Sequence, residues 1–540
     1  MTSKNFARSG RPPTPDGTPP EIADNVVWEP REPVPLGHSD VGVLLDQVAT
    51  GDPFAHRLVV LGDSISHGFK SFAIADTHLA WPKLVADAAG FEFRVSSYPG
   101  PKKCQGMPLN LEAVVRELEP HLPGSLIDEF ADVDVLHRLR GLMDDVEDYW
   151  ERKDGADLVA GARGKPVNHN LAIWGWDVRD TIERTVGQLT QSVTGGKHRR
   201  DNVLTQITSA AGERSALLAL AGGLPSDTPI SLAQRLGSDP GGIETLVVAL
   251  GANNILGTVL DFEVKWSQNA TYQDLDRKRA SNAWLPRHFA TEYDTLVSKI
   301  RAINAKHVIF LTVPHVTIVP MVRGIGNKMP GDRYFARYTR PWITDDVFSP
   351  NRHPCLTGNE LRAIDWAIDQ YNNHIVNIVR GERLDQALKV PGAPRTDWRV
   401  VDLAGLLDRL AYRRYLLDEE ARPEWWTPYE LPAAYRELSP QPDSRFYVSD
   451  RFGRNQGGLF ALDGVHPTTI GYGIIAREVM HAMAEAGVVM DKAEPDFHKL
   501  RDRDTLISNP PKRISSVLRF VELADRSADL YQALRHRAPV

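Results

Sequence analysis

Five short apolar runs, each closed by a turn residue, constrain this chain more than any other feature of its sequence. They are Leu58-Val59-Val60-Leu61, Leu171-Ala172-Ile173, Leu246 to Leu250, Val308 to Val313, and Val400-Val401 before Asp402. Runs this short are too brief for a helix, and their unbroken hydrophobicity suits strands buried on both faces. Helix-like stretches follow several of them, at Trp81 to Ala89, Tyr293 to Ile303 and Leu361 to Val379. Alternation of this kind predicts an α/β chain with a mainly parallel sheet covered on both sides.

The spacing between runs is irregular, which predicts one α/β core over residues 36–490 carrying insertions at about 102–166, 194–242 and 321–357. The first holds two helix-prone segments, Leu111 to Leu118 and Leu136 to Trp150. These insertions are expected to be helical and to form a cap over the carboxyl ends of the strands. Residues 1–35, with Pro12-Pro13 and Pro19-Pro20, read as a flexible arm. Residues 491–540 read as a helical extension, with an amphipathic helix from Ile514 to Leu534 that either packs on the body or serves a homo-oligomer.

With 540 residues and a net charge of −7, the chain lacks the basic excess of a nucleic-acid binder. Cys104 and Cys355 are its only cysteines and form neither a disulfide framework nor a C-x-x-C site. There is no apolar h-region at the start and no uncharged apolar run of about 18 residues, so a cytoplasmic protein without a transmembrane segment is expected. No His-Glu-x-x-His, Walker loop or complete Gly-x-Gly-x-x-Gly occurs, since Gly324-Ile325-Gly326 runs on to Met329. No metal or cofactor is implied.

Four segments at strand ends carry groups suited to chemistry, because sites in open parallel sheets form outside the strands' carboxyl ends. Gly62-Asp63-Ser64 puts a serine at a strand-to-helix turn, where backbone N–H groups can face developing negative charge; it also reads as an ordinary helix cap. Ser66 departs from the Gly-x-Ser-x-Gly elbow, which argues against a standard α/β-hydrolase. Asp463-Gly464-Val465-His466-Pro467 offers a base with an orienting carboxylate three residues away, or simply a polar loop. Asn253, in Leu250-Gly251-Ala252-Asn253-Asn254, suits an oxyanion donor, and Gly175 a backbone donor, although turns explain both. His67 is three residues from Ser64 and is expected on the surface. Trp425-Trp426-Thr427-Pro428-Tyr429 reads as a packing cluster or the lining of an acyl or sugar pocket.

In chain order, Gly-Asp-Ser, Asn170-Leu171-Ala172-x-x-Gly175, Gly251-x-Asn253 and Asp463-x-x-His466-Pro467 resemble the four marker blocks of the GDSL/SGNH hydrolases. Thr312-Val313-Pro314 is similar to that family's strand ending in proline. The resemblance implies a three-layer α/β/α sandwich with a flavodoxin-like sheet. It also implies a serine esterase or lipase with Ser64 as nucleophile and first oxyanion N–H, Gly175 and Asn253 as further donors, His466 as base and Asp463 as its partner. Asn254 stands where the family often has Asp, and Trp174 and Trp176 flank Gly175 where smaller residues are usual. The substrate would be a small-molecule or lipid ester. An O-acetyl esterase for acylated carbohydrate is the nearer alternative, and a non-catalytic binding or scaffold protein the more distant one.

Overall fold

Four of the five apolar runs become strands of the central sheet. In the computed structural model, which describes residues 18–23, 54–121, 133–195, 210–328, 332–390, 393 and 395–514, four strands lie side by side. They are His56–Gly62 (β1), Ile243–Ala249 (β2), Ala305–Leu311 (β3) and Asp397–Val401 (β4), in the order β1-β2-β3-β4 and all parallel. Every residue of β2 and β4 is buried, which accounts for the unbroken apolar run in β2, while β4 buries Asp397 and Arg399 as an ion pair at 2.6 Å.

The run at Leu171–Ile173 lies along the other edge of β1. Val60 N–H donates to His169 O, while Leu171 and Ile173 N–H donate to Val60 O and Gly62 O. Its ladder with β1 is reduced to a single parallel bridge at Val60 and Asn170, so the segment is extended but is not a strand. A local bond explains part of this, because Asn170 Oδ1 takes the Ala172 N–H at 3.2 Å.

Helices Ser64–His67 (α1), Trp81–Ala89 (α2), Pro229–Gly237 (α3), Pro286–Ile300 (α4), Gly358–Ala387 (α5) and Thr469–Glu485 (α6) pack in two groups. In one, α6 contacts α2 and β4; in the other, α3, α4 and α5 contact each other in series, with α3 on β1 and α5 on β4. Thr357 and Glu360 form a capping box that starts α5. The thirty residues of α5 exceed the Leu361–Val379 legible in the sequence because its last turns bury polar side chains. Arg383 is one of these; it donates to Asp397 Oδ1 at 2.8 Å and to Trp398 O at 2.9 Å.

Of the insertions, 102–166 is mainly helical among its described residues, with Leu111–Leu118, Val133–Arg152 and Asp154–Gly161, while Met107–Pro108 pairs antiparallel with Ala73–Ile74. Its apolar side chains build a second cluster that takes in Phe69 and Trp174. The insertion at 321–357 is not helical as expected. It forms an antiparallel sheet of Arg323–Lys328, Phe335–Thr339 and Leu356–Thr357. Pro330, Pro341 and the glycines at 324, 326 and 331 break helix, while the Phe335–Thr339 run is aromatic-rich and fits a pleated surface. The arm expected over 1–35 falls outside the described residues except for 18–23, where Pro20–Ala23 makes one helical turn. The helix expected beyond Ile514 lies outside them entirely. Among the described residues, no helix is long and apolar enough to cross a membrane.

Candidate active site

β1 delivers Ser64 to the carboxyl end of the sheet. A side chain at Gly62 would strike Ser66 Oγ at 2.5 Å, so the strand can turn this tightly only with glycine there. Asp63 then caps the four-residue α1, its Oδ1 accepting the Ile65 N–H at 3.1 Å, and Ser64 is the first helical residue.

His466 reaches Ser64 from a loop 402 residues later in the chain, with Nε2 2.9 Å from Oγ. Its Nδ1 lies 3.0 Å from Asp463 Oδ2. The Asp463 carboxylate accepts three further bonds, from the N–H groups of Val465 and His466 at 2.9 Å each and from Phe72 N–H at 3.1 Å. Burial alone would raise its pKa, but the neighbouring His466 and these donors hold it below the ordinary carboxylate value. An ionised Asp463 fixes the proton on Nδ1, which leaves Nε2 to accept from the Ser64 hydroxyl. Asp63 has a different environment: burial pushes its carboxyl up to about 6, against the pull of the Ile65 N–H and the His466 charge.

Two further segments meet at the same place. Gly175 sits at φ +75° in a turn after the edge segment, and a Cβ there would meet nothing within 4 Å. Asn253 follows Gly251, whose φ of +131° and packing against Val313 exclude a side chain. Asn253 Nδ2 gives one hydrogen to Trp176 O at 2.8 Å and keeps its second. The backbone N–H groups of Ser64 and Gly175 have no acceptor among the described residues. Ser64, Gly175, Asn253 and His466 all line one cavity of about 280 Å³. Chemically, the arrangement offers a hydroxyl beside a base and three N–H donors that can face a developing oxyanion.

Compared with known proteins, this chain matches no family model and no curated protein.

Asn254 is wholly buried behind Asn253, its Oδ1 3.4 Å from Val178 N–H and its Nδ2 without a partner. His67 is buried rather than exposed as the sequence suggested, because α1 turns it inward. Burial lowers its pKa to about 3, so it is neutral. Its Nδ1 accepts the Trp174 N–H at 3.2 Å, its Nε2 donates to Tyr98 at 2.7 Å, and Tyr98 donates to Ser215 O at 2.9 Å. His67 thus holds the Trp174–Gly175 turn rather than facing Ser64. The Trp425–Tyr429 segment lines no part of this cavity: Trp426 packs on Tyr415 and donates to Asp408 O at 2.9 Å.

Sequence reasoning missed a charged group in the cavity wall. The buried Lys278 is ion-paired to Asp177 and, at 2.8 Å, to Asp180, which also pairs with Arg184 at 2.9 Å. Burial raises Asp177 despite Lys278, whereas for Asp180 the cations Lys278 and Arg184 overcome burial and bring it to about 2. Asp177 and Asp180 form a capping box, a legible Asp-x-x-Asp spacing, but Lys278 arrives from a distant segment. Among the described residues, no cluster of His, Cys, Asp or Glu has the makings of a metal site.

Proposed function

We propose that this chain is a serine esterase of the GDSL/SGNH type. The observation that carries the reading is the hydrogen-bonded series Asp463–His466–Ser64 at the carboxyl end of β1. In this mechanism His466 Nε2 takes the Ser64 proton as Oγ attacks an ester carbonyl. The oxyanion accepts from the Ser64 and Gly175 N–H groups and the free hydrogen on Asn253 Nδ2. His466 then protonates the leaving alcohol, and a water it deprotonates releases the acid from Ser64. Numbered by chain position and counting the 169–173 edge segment, the spatial order is 2-1-3-4-5, which supports a flavodoxin-like sheet. The two helix groups support the three-layer arrangement.

A specific observation favours the acylated-carbohydrate reading over a lipid ester. The cavity wall combines Trp174, Trp176 and Trp284 with Asp180, Arg184 and Lys278, and aromatic faces beside charged donors and acceptors suit a sugar better than an alkyl chain.

A fluorophosphonate probe tests the nucleophile. It should label Ser64, located by mass spectrometry, and Ser64→Ala should abolish both labelling and ester hydrolysis. An adduct on another serine, or full turnover in the variant, would overturn the reading. Comparing acetyl with long-chain 4-nitrophenyl esters and with acetylated oligosaccharide separates the two substrate classes.

A further inference from the structure

Away from Ser64 lies a second cavity of about 250 Å³. Among the described residues, its wall contains five arginines, Arg323, Arg333, Arg413, Arg414 and Arg445, and no aspartate or glutamate. Three of the five are balanced from behind the wall: Arg323 by Asp345 at 2.5 Å, Arg414 by Asp365 at 2.8 Å and Arg445 by Asp443 at 2.7 Å.

The other two lack that compensation. Arg333 is only 9% exposed, yet its side chain has no hydrogen bond or ion pair among the described residues, and its Nε is fully occluded. Its guanidinium lies 5.0 Å from the Tyr334 ring, and the Asp365 carboxylate, already paired with Arg414, acts on it only through space. Arg413 is half-buried and also lacks a hydrogen-bonded or ion-paired partner among the described residues. Burial depresses its pKa, and the charges of Arg323 and Arg445 depress it further, with Asp345 opposing. Buried guanidinium without an acceptor is costly, and an anion in the cavity would relieve it.

We propose that this cavity binds a phosphomonoester that carries a planar ring. A phosphate dianion neutralises both Arg333 and Arg413, whereas a carboxylate can answer only one charge. The guanidinium fork also matches phosphate oxygens in pairs. The ring is indicated by Trp342, Tyr412 and Phe446 in the same wall, with the Arg445 guanidinium already stacked 4.1 Å over Tyr412.

Titration calorimetry on the full chain tests this with phenyl phosphate, inorganic phosphate, benzoate and phenol as probes. Phenyl phosphate should bind saturably at one site, at least about tenfold tighter than each of the other three, and more weakly as salt rises. Arg413→Ala should weaken it by about tenfold or more. Arg333→Met should do the same; because Arg333 is buried and its variant is at risk of misfolding, the more exposed Arg413 carries the decision. Arg279→Ala, which removes an exposed cation from the wall of the Ser64 cavity, should leave the affinity unchanged. Absence of saturable binding at millimolar phenyl phosphate, or undiminished affinity in Arg413→Ala, would overturn the proposal. Loss of affinity in Arg279→Ala alone would also overturn it, by moving the ligand to the other cavity.

Discussion

At the residue scale, a carboxylate that accepts four hydrogen bonds is poorly replaced by an amide. In Asp463→Asn, an NH2 group must face N–H donors at one oxygen position or the other, and the Nδ1 proton of His466 loses its fixed acceptor. With the imidazole tautomer released, kcat should fall by about 10⁴; a rate near wild type in steady-state ester hydrolysis would contradict the proposed role. On the proposed mechanism Asn253→Ala removes one oxyanion donor, and steady-state ester hydrolysis should show kcat lowered by about 10²–10³ with KM little changed.

Asp63 makes a prediction about stability. Its folded pKa of about 6 lies above its ordinary value of 3.8. The proton it holds therefore stabilises the fold fully below the unfolded value, and that contribution is lost as pH rises through about 6. At pH 8 the ionised group costs on the order of 3 kcal/mol. Asn can cap α1 equally well without ionising. Asp63→Asn should therefore match wild type in thermal unfolding near pH 4 and exceed it at pH 8. An equal difference at both values would refute the burial argument.

At the scale of elements, the turn that presents Gly175 depends on a side chain from α1. His67 accepts the Trp174 N–H and donates to Tyr98, so His67→Phe takes this acceptor from the Trp174 N–H and leaves the Tyr98 hydroxyl only its bond to Ser215 O. The expected cost is about 1–3 kcal/mol in urea unfolding. Because His67 is neutral and faces away from Ser64, kcat should fall while the shape of the pH–rate profile is unchanged. A shifted acid limb would mean that His67 takes part in proton transfer. The 102–166 insertion supports the same turn from behind: Trp174 and Phe69 share its apolar cluster, and Trp174 Nε1 donates to Ser215 Oγ at 2.6 Å. None of that insertion's described residues lines the Ser64 cavity, whereas Gly212 and Glu213 of the second insertion do.

At the scale of the whole molecule, His315 joins the end of β3 to α5 and to the helix Leu403–Leu410. It lies 3.0 Å from Asp369 and 3.1 Å from Asp408. Burial alone would depress its pKa, but Asp408, Asp365 and Asp369 reverse this and push it up to about 10. The stabilisation is complete below pH 6.5, where folded and unfolded states both hold the proton. Between 6.5 and about 10 only the folded state keeps it, so stability declines with rising pH by up to about 1.4 kcal/mol per unit. Denaturant unfolding of the wild type should show this alkaline decline, and His315→Gln, less stable at neutral pH, should show a shallower one. Parallel slopes would assign the decline to other groups.

The sequence by itself determined the four strands of the central sheet, where the turns after them fall, and which side chains those turns present, though it placed a fifth strand at Leu171–Ile173 and missed the antiparallel sheet within 321–357. These features depend on a segment's own burial and backbone, so a run such as Leu58 to Leu61 followed by Gly62-Asp63-Ser64 carries them locally. Tertiary structure decided what meets what. The approach of His466 to Ser64 depends on strand order. The inward turn of His67, the pairing of Lys278 with Asp177 and Asp180, and the arginine cavity depend on packing between segments far apart in the chain. Hydrophobic burial is non-directional, so a local pattern records that a residue is inside without recording what it touches.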